Sequence, residues 1–234
     1  MKGKSRPCGG RLSCCHRRLC GAWQRRMCCG YQLRCLPPAI LAPVHPFGDT
    51  ATVARMILVV AATERELAGA AGAATLVCGI GPVEAAAATA GALARGPRPD
   101  VLLHVGIAGA RGIPVAQLVI GSEAVYEDAV AGGLVAEREH PAPRLVDAVQ
   151  SALPDARVLP IGTSARVGGT SSCEVEAMEG FAVLRAARLA GVPAVEVRAV
   201  SNEIDEPDRR RWRFDDALAA LDAALPRLLS ELQG

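Results

Sequence analysis

From residue 56 onward, short uninterrupted apolar runs alternate with longer stretches in which apolar side chains recur every three or four positions. Met56-Ile-Leu-Val-Val-Ala-Ala62 is a run of strand length, and Ala74 to Gly79, Val101 to Gly106, Leu118 to Tyr126, Arg157 to Ile161 and Val192 to Val200 read as further strands. Between them, Pro82 opens an alanine-rich helix that Gly96-Pro97 stops, Pro143 to Leu153 reads as a short helix, and Gly180 to Ala190 as another. The last segment, from about Phe214 to Leu232, sets Ala217, Leu218, Leu221, Leu225, Leu228 and Leu229 on one stripe. Strands alternating with helices predict an α/β domain of three layers, α/β/α, around a mostly parallel or mixed sheet. Ligands of such sheets sit beyond the strand carboxyl ends. Glu66, Gly79-Ile80-Gly81, Gly106-Ile107-Ala108-Gly109 and Ser201-Asn202 all follow strands, so they are expected at one rim.

Composition divides the chain near Met56. Half of the 234 residues are hydrophobic and 21% are charged, enough for one ordinary domain. Residues 1–55, however, hold ten of the 26 Lys and Arg and a single acid, Asp49, for a net charge of +9, against −7 in residues 56–234. Seven of the nine cysteines fall at positions 8, 14, 15, 20, 28, 29 and 35. No Cys-x-x-Cys occurs among them, and adjacent pairs aim their thiols apart, which disfavours a zinc site. Arg17, Arg18, Arg25 and Arg26 puncture the apolar core that a signal peptide needs. A basic arm for nucleic acid or an acidic membrane surface is the functional alternative. The reading preferred here is a basic, cysteine-rich leader, disordered or translated ahead of a start at Met56, followed by one domain over 56–234. No run reaches the roughly 18 uncharged apolar residues of a membrane helix. A cytoplasmic protein is expected, without nucleic acid or membrane as partner.

Individual motifs carry chemistry only weakly. Thr63 with Glu66 three residues on has the form of a capping box, which delivers Glu66 to a helix start beyond a buried strand. Gly79-Ile-Gly81 lets the backbone approach a ribose, a phosphate or a water, but Glu84 stands where a dinucleotide fingerprint needs its third glycine. Gly106-Ile-Ala-Gly109 reads as a tight turn after its strand, with ligand contact as the alternative. Glu179 precedes a helix in apolar surroundings, an uncomfortable place for an unused charge. His104 has the position of a core histidine. Arg209-Arg-Arg-Trp-Arg213 has the pattern of a solvated helix entry that can spare a guanidinium for a carboxylate ligand.

Three segments in order, Ala62-Thr-Glu-Arg-Glu66, Val105-Gly-Ile-Ala-Gly-Ala110 and Val175-Glu-Ala-Met-Glu-Gly180 with Val197-Arg-Ala-Val-Ser-Asn202, resemble the nucleoside phosphorylase and nucleosidase superfamily. Glu196-Val-Arg-Ala-Val-Ser-Asn202 and Glu206-Pro-Asp-Arg-Arg-Arg-Trp212 look most like its futalosine-hydrolysing branch, which serves menaquinone biosynthesis. The resemblance covers about Met56 to Leu232. It implies a nucleoside phosphorylase-like fold, a small-molecule nucleoside substrate, a homo-oligomer, and no metal or organic cofactor. It casts Glu66 as the base that activates water and Glu179 as the acid that binds the ribose hydroxyls, with Met178 against the sugar. Asn202 stands where adenine-releasing nucleosidases carry Asp, and an amide suits a 6-oxopurine better than adenine. Gly81, Ala108, Gly109 and Ser201 complete the expected substrate-binding set, with Val167 as the wall for the base and Phe181 or Trp212 as substitutes. An Arg beside Trp212 would meet a benzoate-bearing 5′ substituent. Water is the expected acceptor, because His104 occupies a position where a phosphorylase would place arginine, although Arg65 brings one cation near Glu66. The alternatives are an adenine-releasing nucleosidase and a non-catalytic purine-nucleoside binding protein.

Overall fold

A computed structural model describes residues 55–129, 133–167 and 172–234. The reading of residues 1–55 as a leader therefore lies, but for Arg55, outside the described residues. The elements are β1 (Ile57–Ala61), a 3-10 turn (Glu64–Leu67), β2 (Ala74–Val77), α1 (Pro82–Arg95), β3 (Val101–Ala110), β4 (Leu118–Tyr126) and β5 (Arg138–Glu139). They continue as α2 (Pro143–Ala152), β6 (Arg157–Thr163), β7 (Val175–Ala177), α3 (Gly180–Leu189), β8 (Ala194–Glu203), a second 3-10 turn (Arg209–Arg211) and α4 (Phe214–Gln233).

Alternation of side chains across the sheet builds two cores. Val59, Leu103, Val195 and Val197 point to the layer where α2 supplies Leu145 and Val149 and α4 supplies Leu221, Leu225 and Leu228. Their neighbours Val60, Leu102 and Ala194 point the other way, against Ala85 of α1 and Val183, Leu184 and Ala187 of α3. Each large aliphatic side chain so buried contributes about 1.5–3 kcal/mol. The expected three layers are therefore present, and the sheet is mixed.

The parallel strands β2, β1, β3 and β8 form one run, and β8 then pairs antiparallel with β4. β4 pairs with β6, β6 with β7, and β7 with the far end of β3, so five strands close on themselves. Closure is possible because β3 is ten residues long: its first half takes β1 as neighbour, and Gly109 and Ala110 take β7 on the edge that β1 leaves free. The small interior is filled by residues such as Ala108, Ala110, Val119, Ile161, Val175 and Val200.

Two expectations are corrected. Gly106 to Gly109 is not a turn: β3 runs through it without a break to Ala110. Its glycines answer to side chains packed above it, since a Cβ on Gly106 would lie 2.2 Å from an Arg198 guanidinium nitrogen and one on Gly109 3.1 Å from Asn202 Nδ2. Ser201-Asn202 likewise does not follow its strand but belongs to β8. The β3–β8 register pairs Ala108 with Val200 and Gly109 with Asn202, leaving Ser201 as an extra residue. Such a bulge re-aims the next side chain.

Candidate active site

The rim where β1, β3, β7 and β8 end holds a cavity of about 450 Å³. The 3-10 turn after β1 carries Glu66 into it. Thr63 closes the capping box, its backbone N–H and hydroxyl both donating to Glu66 Oε2, at 2.9 and 2.8 Å. The Ile107 N–H donates to Oε1 at 3.1 Å, so both oxygens of this buried carboxylate are held by neutral donors. Glu179, also buried, ends the β7 segment: Oε1 accepts from the Gly81 N–H at 3.0 Å, and Oε2 lies 3.4 Å from Arg198 Nη1.

Asn202 also lines the cavity. Its Nδ2 donates to the Glu203 carbonyl at 2.8 Å and its Oδ1 accepts from the Ser201 hydroxyl at 2.7 Å. A carbonyl only accepts, so the edge facing Glu203 must be the NH2, and the amide cannot flip without setting two acceptors together. One N–H and one lone pair of the amide stay available to a ligand.

Arg198 lies beneath these groups, only 1% exposed. Besides Glu179, its guanidinium meets Glu196 Oε1 at 2.8 Å and His104 Nε2 at 2.6 Å. The Val60 carbonyl faces His104 Nδ1 at 3.0 Å, so the imidazole carries its proton there and offers Nε2 as acceptor to Arg198. Burial, aided by the Arg198 charge, holds His104 well below its ordinary pKa. Burial also raises Glu196 above the usual carboxylate range, and Glu179 adds to this while Arg198 opposes it. Cys78 is pushed up to about 12, first by burial and then by Glu179, which makes it an unreactive thiol beside the cavity.

Nine of the ten expected site residues line this cavity: Glu66, Ala108, Gly109, Val167, Met178, Glu179, Ser201, Asn202 and Trp212. Gly81 does not. Its neighbour Ile80 forms the wall, whereas Gly81 is needed for its φ of +94° and for the N–H it gives Glu179. Phe181 is also excluded from the wall, being buried and stacked on Tyr126 with centroids 5.0 Å apart. Arg65 reaches the mouth but pairs with Asp215 at 2.7 Å. Sequence reasoning gave no role to Glu176, which lines the cavity, or to Arg198 and Glu196 below it. The available signal was a pair of opposite charges two positions apart in an otherwise apolar run, Glu196-Val-Arg198.

Comparison with known proteins agrees with this architecture. The phosphorylase superfamily model matches residues 65–232. A futalosine hydrolase of Streptomyces coelicolor is 36% identical, the match covering 68% of this chain and 79% of that protein. Among solved structures, the S-adenosylhomocysteine nucleosidase of Streptococcus pyogenes, in complex with 5-methylthiotubericidin, aligns with a TM-score of 0.68 at 20% identity, over 78% of this chain and 98% of that one. A futalosine hydrolase mutant of Helicobacter pylori aligns with a TM-score of 0.68 at 16% identity, over 76% and 99%. At these identities the two structures establish the fold.

Proposed function

The chain belongs to the phosphorylase superfamily, and from that premise we propose that its rim cavity hydrolyses the N-glycosidic bond of futalosine, releasing hypoxanthine and dehypoxanthine futalosine. Glu66 takes a proton from the attacking water, whose oxygen bonds to C1′ of the ribose as the C1′–N9 bond breaks. The electron pair of that bond leaves with the purine, which takes up a solvent proton at N7, while Glu66 returns its own to solvent. Glu179 accepts hydrogen bonds from the ribose hydroxyls, and Met178 packs against the sugar. Breaking such a bond places positive charge on the ribose, which nearby carboxylates stabilise more in the transition state than in the ground state.

The locked amide of Asn202 carries the choice of purine. Its spare N–H matches the 6-oxo group of hypoxanthine and its spare lone pair matches a protonated N7. Adenine would set its amino group against that N–H, and a flip that relieved the conflict is blocked by the Glu203 carbonyl. Water is favoured over phosphate as acceptor because Glu66, Glu176 and Glu179 line one cavity and would repel an anion. Release of free base from futalosine and from its 6-amino counterpart, followed by chromatography, tests the proposal. Hypoxanthine release should exceed adenine release by on the order of 10² in kcat/KM, and Asn202→Asp should narrow that ratio. Faster adenine release by the unmodified protein would instead favour an adenine-releasing nucleosidase.

The same proposal places the catalytic domain at residues 56–234, so a polypeptide begun at Met56 should turn over futalosine as the full chain does. It sets the reaction in cytoplasmic menaquinone biosynthesis. It also includes a homo-oligomer, with exposed Val77, Ile80 and Val83 as the surface a second copy would cover and sedimentation velocity as the test.

A further inference from the structure

Arg65 and Arg209 line the cavity, with Arg210, Arg211 and Arg213 next to Arg209 in the chain, and four of these five have carboxylate partners: Arg65 with Asp215, Arg210 with Asp208, Arg211 with Glu206 and Arg213 with Asp216. Arg209 is the exception among the described residues. Its guanidinium carbon instead lies 5.7 Å from the centroid of the Trp212 ring. Arg209, Trp212 and Phe214 line the cavity that contains Glu66 and Asn202, with Ile204 and Leu218 beside them.

This corner is built rather than incidental. The Trp212 indole N–H donates to the Glu206 carbonyl at 3.0 Å, which fixes the ring, and Phe214 packs against it at a centroid distance of 5.5 Å. A guanidinium over an indole face keeps its in-plane N–H groups free for a bidentate carboxylate. Aromatic faces next to it favour a flat ring. A cation with unspent donors, two aromatic side chains and an aliphatic floor together suit an aryl carboxylate.

We infer that Arg209 binds an aryl carboxylate carried on the 5′ side of the nucleoside, with Trp212 and Phe214 against the aryl ring. This rests on futalosine as substrate, whose 5′ substituent bears a benzoate, and it names the side chains that read that substituent. With the base at Asn202 and the ribose hydroxyls at Glu179, the stretch Ile204 to Leu218 is the wall left for the 5′ group. Within it Arg209 is exposed while lining the cavity, as a reader of a substituent that projects from the sugar must be. Arg65 does not serve instead, because Asp215 already holds it.

The test compares kcat/KM for futalosine and for its benzoate methyl ester, which keeps the ring and removes the charge. The unmodified protein should prefer the acid by on the order of 10- to 100-fold, the range for a charge-assisted hydrogen bond. Arg209→Gln should abolish the preference, lowering kcat/KM for the acid far more than for the ester, and Arg209→Lys should retain part of it. Arg210→Gln, which removes a neighbouring arginine outside the cavity lining, should leave the preference intact. The inference is overturned if the unmodified protein shows no preference, if Arg209→Gln keeps it, or if that variant slows both substrates equally; futalosine hydrolysis itself stands in all three cases. Failure to release hypoxanthine from either substrate overturns the substrate assignment, and this inference with it.

Discussion

Removing Arg198 should expose how much of the fold depends on one buried cation. The guanidinium is 1% exposed and stands between Glu196, fully buried, and Glu179, 4% exposed, while also donating to neutral His104. Arg198→Met keeps most of the volume but leaves two buried carboxylates without their countercharge, a loss of about 3–5 kcal/mol. For a domain of this size each kcal/mol moves the melting temperature by about 2–4 °C, so the variant should melt roughly 6–20 °C lower. The deficit should depend on pH with a definite sign. Glu196 is raised above its ordinary range when folded, so its contribution to stability is full below about 4.5 and is lost as pH rises through the folded value. Loss of Arg198 raises Glu196 further and frees His104 to take up a proton, because the Arg198 charge helps hold both groups where they are. Thermal melts of both proteins at pH 5.5 and pH 8 should therefore show the larger gap at pH 8. Adding Glu196→Leu should recover about half of the loss or more, since an apolar pair of similar volume replaces a buried ion pair at little cost. A deficit below about 1 kcal/mol, or one equal at the two pH values, would refute the electrostatic account.

Glu66→Gln should preserve futalosine binding by calorimetry yet lower kcat by on the order of 10² or more, and near-normal turnover would remove Glu66 as base. Gly106→Ala drives a methyl to within 2.2 Å of the Arg198 guanidinium and 2.9 Å of Glu66 Oε1. It should cost about 1–3 kcal/mol in denaturant titration and depress kcat together with stability; a variant with normal turnover would show that neither group is held in place there. His104, held below 6.5 when folded, contributes stability that is full above pH 6.5 and lost as pH falls, by up to about 1.4 kcal/mol per unit. His104→Gln should flatten the melting temperature between pH 6.5 and 5, and an unchanged slope would assign the effect to other groups.

The parts of the molecule that sequence reveals are those written in local pattern. The strand runs from Ile57 and Val101, the stripe on α4 and the Thr63–Glu66 capping box each specify an element through residues a few positions apart. Closure of five strands is a different kind of fact. It depends on β3 continuing past Gly106, where glycines mimic a turn, and the reason they do not form one is the Arg198 side chain arriving from β8. The three-residue β7 is too short to carry a period, and it borrows its position from β3 and β6. The site followed the same division. Glu66, Glu179 and Asn202, which line the cavity, are named by ordered motifs, whereas Gly81, expected in the substrate-binding set, does not line it, because φ and hydrogen-bond direction leave no mark in sequence distinguishable from ligand contact.

The charge arrangement makes sense only when the reaction is set against the resting protein. Glu66, Glu176 and Glu179 line one cavity and Glu196 lies behind it, while Arg198 is the cation that faces Glu179 and Glu196. At rest, an excess of carboxylates in a confined volume is a liability, and fixing Glu66 and Glu179 with N–H and O–H donors costs conformational freedom that folding must offset. In the proposed reaction that excess becomes favourable as positive charge develops on the sugar, since oriented groups need little reorganisation. Arg198 tempers the liability without cancelling the effect, because it reaches Glu179 from below while both oxygens of Glu66 take neutral donors. Selectivity is kept apart from this device. The bulge at Ser201 and the Glu203 carbonyl set the Asn202 amide with no charged partner, so under the proposed function the choice of purine would change without altering the carboxylates proposed to act on the ribose.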